Sequence, residues 1–165
     1  MGPVQQYWRT PERIPFLLHR AGSTDLTAET THRLLRESFA AWDAVPTARV
    51  GFLDRGLSSS RGPSSGDRLN LLYFDETNAY LKAPPESGVI ALTRLTSNEL
   101  TGEIQDADIT FNGQDFAFSE ATELPEGAVN LKDVAIHEIG HLLGLDHTPL
   151  DGPPATRPTM NPYNR

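Results

Sequence analysis

The chain has no cysteine among its 165 residues, so disulfides and cysteine-ligated metal sites are both excluded. It has no apolar run near the roughly 20 residues that a membrane-spanning helix needs. Basic clusters are missing too: 14 Lys and Arg stand against 22 Asp and Glu, giving a formal charge of -8. That balance argues against nucleic acid or an anionic membrane as the main partner. The opening "MGPVQQYW" lacks an apolar signal core. This leaves either a protein kept inside the cell or one whose signal was removed ahead of Met1. There is no internal repeat and no sign of a second domain. The length fits one domain with a real core. A hydrophobic content of 38% with 22% charged residues is the balance of a soluble globular protein.

What is present reads as an α/β domain. "RIPFLLHR" (13–20) predicts a short apolar first strand. In the segment that follows, Leu26, Leu34, Leu35, Phe39 and Trp42 recur at helical spacing until Pro46. Further strands are expected at 48–55, 69–75 and 89–95. The segment "DADITFN" (106–112) alternates polar and apolar residues, as a half-buried strand does. Residues 56–67 are rich in Gly and Ser and predict a loop. Pro84 and Pro85 keep 76–88 irregular. The apolar stretch 128–144 predicts a long second helix, and the tail beyond it is rich in Pro and Gly. Strand, helix, several strands and a second helix make a mixed α/β sheet.

The chemistry is concentrated in "HEIGHLLGLDH" (137–147). Residues i and i+4 of a helix lie about 40° apart around its axis, so His137 and His141 project side by side. Two imidazoles so placed can grip one Zn²⁺ at about 2.0–2.1 Å each. Glu138 follows at about 100°, within reach of a water on the zinc without having to ligate. Ile136, Ile139 and Leu143 are expected to anchor the helix from the opposite side. Gly144 can take a left-handed turn, which would bring His147 back as a third ligand. Three protein ligands leave a position open for water, the arrangement of a catalytic rather than a structural zinc. The competing reading is an ordinary His-rich helix end. It is disfavoured because three imidazoles and a carboxylate beside so apolar a helix are costly without a metal. His19 and His32 have no such partners and read as ordinary strand-end and helix residues.

The motif resembles the metzincin pattern HExxHxxGxxH with its later Met-turn. "PTMNPY" (158–163) looks like that turn, with Met160 as its methionine. Within the metzincins the chain is most similar to the matrixins, through Met160-x-Pro162, "NLKDVAIHEIGH" and "DADITFN", the last resembling the family's sheet-edge segment before the active-site helix. The resemblance implies a single catalytic domain spanning 1–165. An upper part, about 1–144, would hold a twisted five-stranded mixed sheet with two long helices. A small irregular lower part, about 145–165, would carry the Met-turn. It implies a zinc-dependent endopeptidase, with zinc-bound water as nucleophile and Glu138 as general base. The substrate would be a protein or peptide lying as an extended strand along 89–95. It further implies Met160 as a floor under the histidines, and Pro162 and Tyr163 at the border of the pocket for the residue after the cut. Asp133 is a candidate for the bottom of that pocket. It could meet a substrate Lys or Arg, pair with Arg157, or point into water at the helix start. Secretion and a monomeric state are expectations of the same kind.

Departures from the family pattern limit what carries over. Only His19 and His32 remain as spare histidines, so the family's second, structural zinc is expected to be absent. The segment 76–88 is correspondingly short. A cysteine-based latency switch cannot operate within this chain. Calcium at "DETN" (75–78) or "DAD" (106–108) is possible by resemblance but not favoured over ordinary loop acids. The chain stops soon after Met160, where the family adds a helix. A truncated chain, a minimal variant or a continuing domain are all compatible with that. Peptide deformylase, another HExxH hydrolase, needs an upstream Cys ligand. A non-catalytic zinc-binding recognition module would usually have lost the glutamate, and Glu138 is present.

Overall fold

The computed structural model describes residues 4–148 and 158–162. Strand β1 (Ile14–His19) turns Ile14, Phe16 and Leu18 into the core on one face. Helix α1 (Ala28–Asp43) begins where the Thr27 hydroxyl accepts from Thr30 N at 3.1 Å, satisfying one of the free N–H groups of the first turn. Its apolar stripe, Leu34, Leu35 and Phe39, covers the same side of the sheet. The sheet is completed by β2 (Phe52–Ser58), β3 (Leu71–Asp75), β4 (Ala91–Ser97) and β5 (Ile104–Asn112), in the order β2-β1-β3-β5-β4. All pairings are parallel except β4 with β5. A small parallel ladder joins β6 (Ala117–Ser119) to β7 (Ala128–Asn130) and leads into α2 (Leu131–Leu142). The fold is thus α/β, a five-stranded mixed sheet with two helices. Among the described residues no helix is long and apolar enough to cross a membrane.

Three segments depart from what the sequence leads one to expect. The segment 106–112 belongs to an interior strand, because β5 lies between β3 and β4 and the edge is β4. Nor is β5 half-buried: of its residues only Gln105 is exposed. Its alternation is real, but its polar face is covered by the Gly/Ser-rich loop. Ser64 N and Gly66 N of that loop donate to Asp108 and Asp106. The second helix is shorter than 128–144, because 128–130 is taken up by the ladder with β6 and Asn130 caps α2 through Asp133 N at 3.1 Å. Its core face is Leu131, Val134, Ala135, Ile139 and Leu142, all buried; Leu143 packs against the core from its edge, whereas Ile136 is only partly covered. Finally, β2 starts at Phe52 rather than at 48 and runs on into the Gly/Ser stretch, following its pairing with β1 as far as His19↔Ser58.

Two tryptophans fasten α2 in place. Trp42 Nε1 donates to Ile136 O, and Trp8 Nε1 to Leu142 O, each at 2.8 Å. The second bond satisfies a carbonyl of the last helical turn, a group otherwise without a partner in the helix.

Candidate metal centre

Helix α2 places His137 and His141 one turn apart, and its end brings the third histidine. Gly144 N donates to His141 O and Leu145 N to Gly140 O, at 2.8 and 3.0 Å. This pair of bonds is the Schellman closure of a helix, and it requires the left-handed conformation that Gly144 adopts at φ 91°. A Cβ there would also meet Gln6 O at 3.1 Å. The turned chain carries His147 back over α2. The three Nε2 atoms then stand 3.0–3.1 Å from one another.

The outer ring nitrogens determine what those three atoms are. His137 Nδ1 lies 2.7 Å from Thr159 O, and His141 Nδ1 lies 2.7 Å from Leu145 O. A carbonyl oxygen only accepts, so both Nδ1 atoms carry protons. In the neutral rings Nε2 is then a bare lone pair, and His137 and His141 face each other acceptor to acceptor at 3.1 Å. Such a contact is repulsive unless a cation lies between. Tetrahedral zinc with bonds of about 2.0–2.1 Å wants ligand nitrogens about 3.3–3.4 Å apart, within a few tenths of those observed. His137, His141 and His147 therefore fit a zinc ion, and are the metal-competent cluster found among the described residues. Burial holds His137 below the ordinary imidazole value, which favours the neutral, ligating form.

The turn that carries Met160 supports the same helix. Met160 is buried and packs where α2 has Gly140, so closely that a Cβ on residue 140 would overlap its Sδ. The turn is tied down by Thr148 N donating to Met160 O at 2.8 Å. Its neighbour Thr159 supplies the carbonyl that orients His137. Neither Gly140 nor the Thr159 carbonyl was among the residues singled out from sequence. Gly140, a glycine inside a helix, was a visible signal; a backbone carbonyl leaves none.

Beside the histidines Glu138 is buried, 6% exposed. Burial raises its carboxyl above the usual range, opposed by a 2.6 Å hydrogen bond from the Thr93 hydroxyl to Oε2. Thr93 was not anticipated from sequence. Histidines and Glu138 line a cleft of about 580 Å³ whose other wall is 88–93 and Leu95 of the β4 region. Val134, Leu145 and Pro162 contribute apolar surface to it, and Asp146 an acidic group. Asp133 is exposed in the first turn of α2 and is not part of the lining; Val134 is. Tyr163 and Arg157 lie outside the described residues. His19 and His32 sit away from the site, with His32 Nε2 3.0 Å from His19 O and His19 Nε2 3.1 Å from Ser60 O.

Of the carboxylates considered for calcium, Asp75 and Asp108 are engaged with backbone N–H groups through both oxygens. Asp75 accepts from Thr77, Ala79, Tyr80 and Leu81. Asp108 accepts from Ser64 and Leu71.

The family described as matrixin matches residues 7–153 of the chain. No curated protein matches it.

Proposed function

Because the chain belongs to the matrixin family, we propose that it is a zinc-dependent endopeptidase that cleaves extended peptide segments, with Glu138 as its general base. The observation that carries this reading is the convergence of three Nε2 atoms beside a buried carboxylate in a cleft walled by an edge strand. His137, His141 and His147 hold the metal. When bound, zinc supplies a Lewis acid that polarises the scissile carbonyl and makes a water acidic.

The chain's own groups do the rest. Glu138 takes a proton from the attacking water and returns it to the amide nitrogen as the C–N bond breaks. Water is consumed, and a carboxylic acid and an amine are released. A carboxyl pKa raised by burial suits a group that must both accept and give up that proton. Among the described residues the second side of β4 is unpaired, so an extended peptide can add there through main-chain hydrogen bonds that are nearly blind to sequence. Side-chain selectivity falls to the apolar lining around Val134, Leu145 and Pro162. The exposed place of Asp133 supports its reading as a helix-start acid. The loop-bonding carboxylates of Asp75 and Asp108 support their reading as structural acids rather than calcium ligands. Secretion and a monomeric state rest on the family alone.

The test is digestion of an unbiased peptide mixture by zinc-loaded protein, with cleavage sites read by mass spectrometry. Zinc-dependent internal cuts are expected; an intact mixture contradicts the proposal.

A further inference from the structure

Thr93 stands 45 residues before Glu138, yet its Oγ1 touches that residue twice: Oε2 at 2.6 Å and the backbone O at 3.0 Å. A hydroxyl has a single proton to donate, and the shorter, charge-assisted bond to the carboxylate is the stronger of the two. Thr93 alternates along β4 with Leu92 and Arg94. Its same-face neighbours Ala91 and Leu95 pack against the core. The strand is anchored on both sides of Thr93, and the hydroxyl is delivered to the helix at a fixed height.

That contact engages only one carboxylate oxygen. Without it the Glu138 side chain, a carboxylate on a flexible stem in a buried setting, has several rotamers open to it. With it, Oε2 is tied to the sheet and Oε1 remains to exchange the proton. Resting on the peptidase reading above, we propose that Thr93 is a positioning residue: it holds the carboxylate of Glu138 from the strand along which the substrate lies. Substrate and base are then aligned by one element. A peptide that pairs correctly with β4 meets a base already oriented by the same strand.

The experiment compares native protein, Thr93→Val, Thr93→Ser and Glu138→Ala, each zinc-loaded, on one cleaved peptide. Val keeps the branched shape without the proton; Ser keeps the proton. Thr93→Val should lose roughly 10-fold to 100-fold in kcat, the size of a lost hydrogen bond to a charged group. KM should stay within about twofold, because β4's backbone pairing is untouched. Zinc content should be unchanged. Thr93→Ser should recover most of the rate. Adding Thr93→Val to Glu138→Ala should cost nothing more, since the bond is already gone. If Val fails to fold by thermal melting, Thr93→Ala serves the same comparison without a steric risk. A kcat within about threefold of native in the hydroxyl-free variant, a loss confined to KM, or a Ser variant as slow as Val overturns the role of Thr93 and leaves the peptidase reading standing. A native protein that binds zinc but cuts no peptide withdraws both.

Discussion

Glu138, His137 and His141 each have a partner that orients the side chain: the Thr93 hydroxyl, Thr159 O and Leu145 O. His147 is exposed, and its loss therefore costs little folding energy. His147→Ala should keep the thermal transition of the metal-free protein close to native. Zinc affinity should fall by more than the roughly 10-fold to 100-fold typical of a lost outer-shell partner, read by competition with a chelator. Native-like affinity would remove His147 from the ligand set. These three histidines were legible because their spacing is a statement about helix geometry: i and i+4 share a face, and a glycine just past the end returns the chain. Thr93 was not legible, because no spacing rule joins an edge strand to a helix 45 residues later. Ile136 was misassigned for a related reason. Periodicity gives the opposite side of the helix from the histidines, but only packing decides how much of that side is covered.

The elements carrying the site are held at their ends. The end of α2 depends on Gly144, at φ 91° with Gln6 O close by. Gly144→Ala should destabilise by about 1–2 kcal/mol, the cost of a left-handed non-glycine residue, and should weaken zinc binding because His147 hangs from that turn. Equal melting temperature and zinc affinity would contradict this account. The loop over β5 depends on Asp106 and Asp108. Burial, reinforced by Asp106 and Asp67 nearby, raises Asp108 to about 6. A folded-state value above the unfolded one means that the folded protein binds more protons between roughly pH 4 and 6. The Asp108 contribution is therefore unfavourable at pH 7 and is relieved as the pH falls through that window. Native stability relative to Asp108→Asn should improve by about 1 kcal/mol from pH 7 to pH 5, measured by urea unfolding of both; a constant difference would contradict it. This coverage also explains why β5 misled the sequence reading. An alternating strand announces two different faces, but not whether a distant Gly/Ser-rich loop will bury the polar one.

Across the whole molecule, one edge of the sheet belongs to β2 and the other to β4, and the three-histidine cluster lies beside β4. Fold class, the five strands of the main sheet and both helices followed from hydrophobic pattern and from the family resemblance; the short β6–β7 ladder did not. Strand order did not, because alternation in β5 carries no information about its neighbours. If peptides add to β4, methylating a substrate amide nitrogen that pairs with it should raise KM about fivefold, one net hydrogen bond. Methylating the next amide, which points away, should not; equal effects at both positions would argue against strand addition. The central claim is that the histidines and Glu138 form a working peptidase centre rather than a metal site used only for recognition. The most direct measurement follows peptide cleavage and bound zinc together in native protein, in chelator-stripped protein restored with zinc, and in Glu138→Ala. The account predicts about one zinc in native and variant alike, activity lost on stripping and recovered with zinc, and a turnover at least ~100-fold lower in Glu138→Ala. Native-like turnover in Glu138→Ala, or cleavage indifferent to zinc, would contradict it.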